Sequence, residues 1–472
     1  MQMLILLAII LPIILGIVAF WIKDDKTRNI LLGIGLVAQL MVAIMIMINP
    51  TFEINVISFT NELVLSFKTD FIAKLFVVLI SFVWLMASWY GFEYMKHEKH
   101  HQRFWMFNSF TLAALMALSM ANNLFTMYLG YEMMTVMSFP LVLHTQTEDA
   151  LKAGLKYFGY SVCGAGLGLL GIFFVSRYAS TTAFSFGGVL DLSLVQGNET
   201  LLYSIYLIMM IGFGGKAGMF PLHSWLPSAH PIAPSCASAV LSGLITKGGV
   251  LAIIRLTYYV FGIDFLFGSF AQTILLVLSI FTIFMGSMLA YKEKVLKKRL
   301  AYSTISQVSY VLFGIFVMTP VSFMGAILQV VYHALAKDAL FLTAGSIIYK
   351  QGITRVDELQ GIGKKMPVTM IIFTLASLSL IGIPPMGGFV SKWYIATGAL
   401  GSTLGLVGVA VLMISALLTA GYTLDIAIEG FFVGKEKYKK NEVNATMLLP
   451  MILLIVGLLV VSVFPDLIFW AQ

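Results

Sequence analysis

Fourteen apolar runs succeed one another along this chain, at about residues 2–22, 29–49, 70–95, 104–122, 124–143, 152–178, 201–221, 234–260, 268–291, 300–318, 321–349, 368–396, 402–430 and 446–466. A helix needs about 20 predominantly apolar residues to cross the hydrocarbon core of a bilayer, and most of these runs have that length. Only 11% of the 472 residues are charged, against roughly 25% in a soluble domain. The expected fold is therefore an all-α polytopic membrane protein with about fourteen transmembrane helices and little soluble structure. The first run, Met1 to Ile22, lacks a basic start and a small-residue cleavage pattern, so it is expected to stay as a helix. Cys163 and Cys236 are the only cysteines. Both are expected to be buried thiols, and four-cysteine iron–sulfur or zinc spacing cannot be built from them. No cofactor and no metal site is expected in this chain.

Cationic loops mark the cytoplasmic side of such a protein. Connections after odd-numbered runs carry Lys23, Lys26 and Arg28; Lys96, Lys99 and Arg103; and Lys152 and Lys156. Further along they carry Lys292, Lys294, Lys297, Lys298 and Arg299; Lys350, Arg355, Lys364 and Lys365; and Lys435, Lys437, Lys439 and Lys440. Connections after even-numbered runs carry Glu53, Glu62, Asp191, Glu199 and Asp264, with Lys68 almost the only cation. This alternation predicts that both termini face the outside; the membrane is expected to be the cytoplasmic (inner) membrane of a prokaryote. Between the second and third runs, Thr51 to Thr69 alternates as FEINVIS and LVLSFK, which predicts a β-hairpin lying on the outer surface.

The segment Ile211 to Val250 departs from a simple span. It sets Lys216 and Lys247 in apolar sequence and joins them through Pro221, Pro227, Pro231 and Pro234. Gly212, Gly214, Gly215 and Gly218 interrupt the seventh run, and Gly382-Ile383-Pro384-Pro385-Met386-Gly387-Gly388 must unwind the twelfth. The two breaks lie five runs apart, each near a lysine (Lys216 and Lys392). Corresponding broken helices point to repeats with an ion site between them. The chain divides accordingly: 1–69, N-terminal helices and hairpin; 70–103, the third helix; 104–260, a first repeat of helices four to eight; 268–430, a second repeat of helices nine to thirteen; and 431–472, the last helix. The two five-helix repeats are expected to be inverted.

An ionisable side chain inside the membrane is costly, so each one is a functional hypothesis. Here they are Glu132, Lys216, Lys247, His333, Lys337, Asp338 and Lys392, with Asp425 nearer an end. Free lysine, with a pKa near about 10.4, does not exchange protons at neutral pH. Desolvation lowers that value and a nearby carboxylate restores it, so a buried lysine with a movable acidic partner is a proton switch. Glu132 and Lys216 are the expected pair, and a structural ion pair locking two helices is the alternative reading. Lys247, His333, Lys337 and Lys392 continue a row of titratable groups. His333 and Lys337, at i and i+4, share a helix face, whereas Asp338 points about a third of a turn away. His223, His230 and His144 are read either as interfacial residues or as the way in for protons. His97, His100 and His101 are expected to be solvated, and Lys152 and Lys156 to snorkel.

No G-x-x-x-x-G-K-[ST] loop and no dinucleotide fingerprint is present, so the chain carries ion-conducting chemistry without an engine of its own. PLHSWLPSAHPIAPSCASAVLSGLITKGG at 221–249 resembles the signature of antiporter-like proton-conducting subunits of respiratory complex I, group 4 membrane-bound hydrogenases and Mrp-type cation/proton antiporters. Tyr131-Glu132, Tyr302-Ser303-Thr304-Ile305-Ser306-Gln307, HALAKDALF at 333–341 and GIPPMGGFVSKW at 382–393 add to the resemblance, which spans about residues 70–430. It implies fourteen helices, two inverted repeats, and seventh and twelfth helices that are broken. It implies that Glu132 is the fifth-helix glutamate and Lys216 its partner. Lys247 would be the central connecting lysine, His333 with Lys337 the eleventh-helix relay, and Lys392 the terminal exit residue. Asp338 stands where a small residue is usual. The chain ends after the fourteenth run without a long amphipathic arm, which implies one of the shorter, central subunits. The resemblance further implies an H+- or Na+-translocating subunit that performs no redox chemistry itself. Its partners would be the lipid bilayer, other antiporter-like subunits and a peripheral redox arm holding iron–sulfur with nickel–iron or flavin, and no nucleic acid. The other implied assembly is a Mrp-type Na+/H+ antiporter without redox chemistry.

Overall fold

The computed structural model describes residues 1–60, 63–433 and 439–469. Glu62, Lys435 and Lys437, counted above among the loop charges, lie outside the described residues. Two helices, α1 (Gln2–Trp21) and α2 (Asp25–Ile48), precede a hairpin of β1 (Glu53–Ser58) and β2 (Val64–Lys68). Its strands pair antiparallel from Glu53 opposite Lys68, with an irregularity between Asn55 and Ile57. Then come α3 (Phe71–Tyr94), α4 (His101–Ser119), α5 (Leu124–Val142), α6 (Glu148–Tyr178), α7 (Glu199–Ala217) and the short α8 (Leu226–Ile232). The second half holds α9 (Ser235–Phe261), α10 (Phe270–Lys292), α11 (Leu296–Phe316), α12 (Pro320–Gln351), α13 (Pro367–Ile381), α14 (Gly387–Ala399), α15 (Thr403–Phe432) and α16 (Ala445–Val463).

Ten of these helices have the length and hydropathy of membrane spans. Helices α4, α5, α11 and the pair α13–α14 complete the fourteen runs expected. Starts are fixed by side chains that take up free helix N–H groups. Asp24, Asp70, Asn123, Thr147 and Ser269 each accept from a backbone N–H in the first turn, and Thr319 with Ser322 forms a capping box on α12.

Both expected breaks are present. Helix α7 ends on Gly218 at φ +83° and α13 on Gly382 at φ +87°, a left-handed conformation that glycine adopts without steric cost. A cis X-Pro peptide follows each, Phe220-Pro221 and Pro384-Pro385. The two halves also pack alike: α4 on α5 as α10 on α11, α5 on α6 as α11 on α12, and α6 on the α7–α8 break as α12 on the α13–α14 break. This shared order of contacts carries the two five-helix repeats. Where they meet, the apolar stretches of α9 and α12 are wholly buried. Lys247 lies on α9, and His333, Lys337 and Asp338 lie on α12.

One expectation on the thiols is corrected. Cys236 is buried, but Cys163 is exposed. It lies on the outward face of α6 with Val162, Leu170 and Phe173, a surface apolar enough to face lipid.

Candidate functional site

Lys216 sits in the last turn of α7, where that helix touches α6. At Gly164 and Gly212 the two backbones meet so closely that a Cβ on Gly212 would lie 2.3 Å from the Gly164 carbonyl oxygen. This approach brings the Lys216 ammonium into a cage of hydroxyls. Its Nζ donates to Thr135 Oγ1 on α5 at 2.8 Å, and to Tyr157 OH at 2.8 Å and Ser161 Oγ at 3.1 Å on α6. It also lies 4.5 Å from the centre of the Tyr157 ring, within cation–π range. The expected Glu132–Lys216 ion pair is not made. Tyr131, Thr135 and Ser138 turn one face of α5 towards Lys216, and Glu132 falls off that face. It is half-buried and accepts from Tyr128 OH at 3.3 Å.

The centre is a contact between α9 and α12. Lys247, 1% exposed, donates to Ser242 O at 2.8 Å and lies 2.5 Å from His333 Nδ1. With Lys247 protonated, His333 Nδ1 is the acceptor and any ring proton sits on Nε2. Nε2 itself has no hydrogen-bond partner. One turn along α12, Lys337 donates to Leu300 O at 3.0 Å and Ser303 Oγ at 2.7 Å on α11. Helix α9 connects this centre to Lys216, because Gly249 packs directly on Lys216 Cβ.

Lys392 occupies the second break. It donates to Leu380 O and, at 2.8 Å, to Ile381 O, carbonyls that the ending of α13 leaves without helical partners. Its Nζ is 5.1 Å from the Tyr310 ring centre. Amides and hydroxyls link it inward. Ser391 Oγ donates to Gln329 Oε1 at 2.5 Å, Gln329 Nε2 to Gln307 Oε1 at 3.0 Å, and Gln307 Nε2 to Leu380 O at 3.3 Å. A second strand of hydroxyls joins Ser303 to Tyr422 at 2.9 Å and Tyr310 to Ser415 at 2.6 Å. Sequence reasoning gave these neutral residues no role, although Ser303, Gln307 and Ser391 lie within motifs quoted above. Their signal was present as polar side chains recurring at helical spacing, most plainly in the Ser303 to Tyr310 stretch.

The three histidines of the proposed way in differ. His223 is partly buried and stacks on Phe220 with ring centres 5.8 Å apart. His230 is fully buried, stacks on Phe341 at 4.8 Å and has two unpartnered ring nitrogens. Lys297, counted above as a cytoplasmic cation, is 5% exposed and donates to Ala233 O at 2.6 Å just past α8. His144, just beyond α5, is also buried. Burial, with the Arg103 charge beside it, brings its pKa down to about 4 and keeps the ring neutral near pH 7. Among the described residues no group of His, Cys, Asp and Glu has the arrangement of a metal site.

Residues 121–419 match the family described as NADH:quinone oxidoreductase/Mrp antiporter, TM, and residues 57–105 match the N-terminus of complex I chain 5. The chain belongs to the NADH:quinone oxidoreductase/Mrp antiporter transmembrane family. Among its relatives, a Na(+)/H(+) antiporter subunit of Alkalihalophilus pseudofirmus is 28% identical over 96% of this chain and 92% of its own. A NADH-quinone oxidoreductase subunit of Desulforudis audaxviator is 30% identical over 83% of this chain and 80% of its own. A chain of the membrane-bound sulfane sulfur reductase, an archaeal respiratory membrane complex, superposes with a TM-score of 0.87 at 20% identity, covering 99% of this chain and 95% of that one. At that identity the likeness is one of fold. This family member is thus an antiporter-like membrane subunit of the complex I and Mrp type.

Proposed function

We propose that this chain conducts protons through the membrane as one subunit of a redox-driven complex of group 4 hydrogenase or complex I type. The observation that carries the reading is how the buried bases are held. Lys216, Lys247, Lys337 and Lys392 each rest on hydroxyls, a neutral imidazole or carbonyls, and none is locked to a carboxylate. A lysine held this way can lose its proton without breaking an ion pair. The row runs Lys216, Lys247 with His333, Lys337, Lys392, and Glu132 stands at its edge. His223, His230 and His144 line the cytoplasmic approach, His144 as a neutral ring. Both termini face the outside of a prokaryotic inner membrane. Neighbouring antiporter-like subunits lie alongside, and electron transfer in a peripheral arm with iron–sulfur and nickel–iron or flavin centres supplies the drive.

A second reading, as part of a Mrp-type Na+/H+ antiporter, is favoured by the near-complete coverage of the antiporter relative from Alkalihalophilus pseudofirmus. Purification of the native complex, identification of its chains by mass spectrometry and an EPR spectrum separate the two. Iron–sulfur signals with a nickel–iron or flavin partner support the redox-driven complex, and an assembly of small membrane proteins without a metal signal refutes it. In reconstituted vesicles, Lys247→Ala and Glu132→Gln are expected to abolish translocation while assembly persists. Undiminished pumping in both sinks the proton-row reading.

A further inference from the structure

Asp338 is the only acidic side chain that is buried among the described residues, and it is wholly so. Neither of its carboxyl oxygens has a hydrogen-bond partner. An unpaired carboxyl group inside a protein is costly, so its retention beside three bases calls for a reason. The opposing surface lies close to it: a Cβ on Gly243 would lie 1.7 Å from Asp338 Oδ1 and 2.8 Å from its Cγ, so a larger residue there would require the carboxyl group to turn away.

Gly243 lies in a π-helical turn of α9, Leu241–Ile245, and one turn before Lys247. Such turns inside α-helices are frequent at functional positions. The Lys247 ammonium holds the carbonyl of Ser242, the residue just before Gly243. One peptide unit therefore separates the lysine's acceptor from the backbone against which Asp338 rests. Lys247 and Asp338 also lie close enough for their charges to act on one another. The other titratable groups near the pair are His333 and Lys337 on α12, with His230 beyond Phe341. All are bases.

We propose that Asp338 is a second proton partner of Lys247, so that the central lysine alternates between His333 and this carboxyl group. In the His333-bonded state seen here, Lys247 points along α9. Rotation about its outer side-chain bonds turns the ammonium to Asp338. There a N–H bond of Lys247 breaks and an O–H bond of Asp338 forms, leaving an amine and a carboxylic acid. Once a proton from Lys337 has reached the His333 ring, the amine takes it as the Nδ1–H bond breaks and a N–H bond of Lys247 forms. The O–H bond of Asp338 then breaks to give its proton to a neutral Lys216 amine, restoring the carboxylate. One acid among bases gives the centre of the row a place to hold a proton without a net positive charge. This inference rests on the proton-row reading above.

The test uses the intact complex in inverted vesicles, driven by its native reaction, with Asp338→Asn, Asp338→Ala and Lys247→Ala. Asp338→Asn keeps the shape that fills the space over Gly243, and Asp338→Ala cannot clash there. Both are expected to assemble and to lose at least tenfold in translocation rate. On driving the wild-type complex, an infrared carbonyl band of a protonated carboxylic acid is expected to change, and to vanish from the difference spectrum of Asp338→Asn. If neither variant assembles, carboxyl-carbon isotope labelling of aspartate in the wild type decides by whether that band shifts. Full rates in both Asp338 variants, with Lys247→Ala inactive, overturn the role of Asp338 alone. So does a slowed Asp338→Asn complex when no carboxylic-acid band is present in the wild type, because packing alone then explains the loss. Full rate in Lys247→Ala overturns the proton row beneath it.

Discussion

Gly212→Ala should disconnect Lys216 from α6 without touching a charged residue. The new Cβ would lie 2.3 Å from the Gly164 carbonyl oxygen, and ordinary van der Waals contact begins at 3.4 Å. The two helices must part by the difference, about 1.1 Å. Lys216 is one turn further along α7, so the displacement carries its ammonium away from α6. Its bonds to Tyr157 and Ser161, at 2.8 and 3.1 Å, stretch to roughly 3.9 and 4.2 Å, past the range of a hydrogen bond. The bond to Thr135 on α5 is left. Hydrogen bonds to a charged group contribute about 1.5–3 kcal/mol each. If the helices instead refuse to part, overpacking costs about 1–3 kcal/mol. Either way the variant should lose on the order of 3 kcal/mol of stability, and most of its translocation if the cage positions Lys216. Thermal melting of the purified complex and the rate in inverted vesicles measure the two effects. Gly166→Ala is the control, since a Cβ there meets nothing within 4 Å. Wild-type melting and rate in Gly212→Ala would refute both the close approach and the role given to the cage.

Asp70→Asn should destabilise the start of α3 and the end of α9 by roughly 3–5 kcal/mol, because Asp70 pairs with the guanidinium of Arg255, which is 2% exposed. Melting of the variant reads this directly, and a loss below about 1 kcal/mol would mean that the pair behaves as a surface one. Acid stability is expected to depend in part on His144. Its folded pKa of about 4 lies below the ordinary value of 6.5, so the unfolded chain binds the extra proton first. Stability is then full above about pH 6.5 and falls as pH drops towards about 4, by roughly 3 kcal/mol in all. His144→Phe should flatten that part of a melting-temperature profile against pH, and an unchanged slope would show that another group sets it.

The spans were legible because apolar length is a one-dimensional property. All fourteen runs lie within a few residues of helices in the structure, and the twelfth proves to be two, as its proline–glycine break required. Helix α6 starts before the apolar run does, at Glu148, because Thr147 caps it and Glu148 and Asp149 favour the positive end of the helix dipole. The hairpin was legible from its alternation. Exposure of Cys163 was not, since an apolar helix in a membrane faces lipid and protein with the same residue types.

Within the site, the rare ionisable groups announced themselves, but their partners did not. Pairing Glu132 with Lys216 followed from opposite charge and ignored the angle around α5. Tyr131, Thr135 and Ser138 make one polar stripe at helical spacing, and the residue after Tyr131 is turned about 100° away from it. Read as a stripe, that face already named a hydroxyl for Lys216. The contact of Lys247 with His333 joins helices far apart in sequence, and no local pattern specifies it. The same holds for Asp338 against Gly243. The sequence turns Asp338 about a third of a turn from the face of Lys337 but does not say what it meets. The winding of α12 turns it to α9, where a glycine and a π-helical turn make room for it. In the proposed proton row, the route is set by which helix face each base shares with which hydroxyl, amide or carboxyl group. A count of charges yields the members of the row, and only the packing of α9 on α12 yields their order.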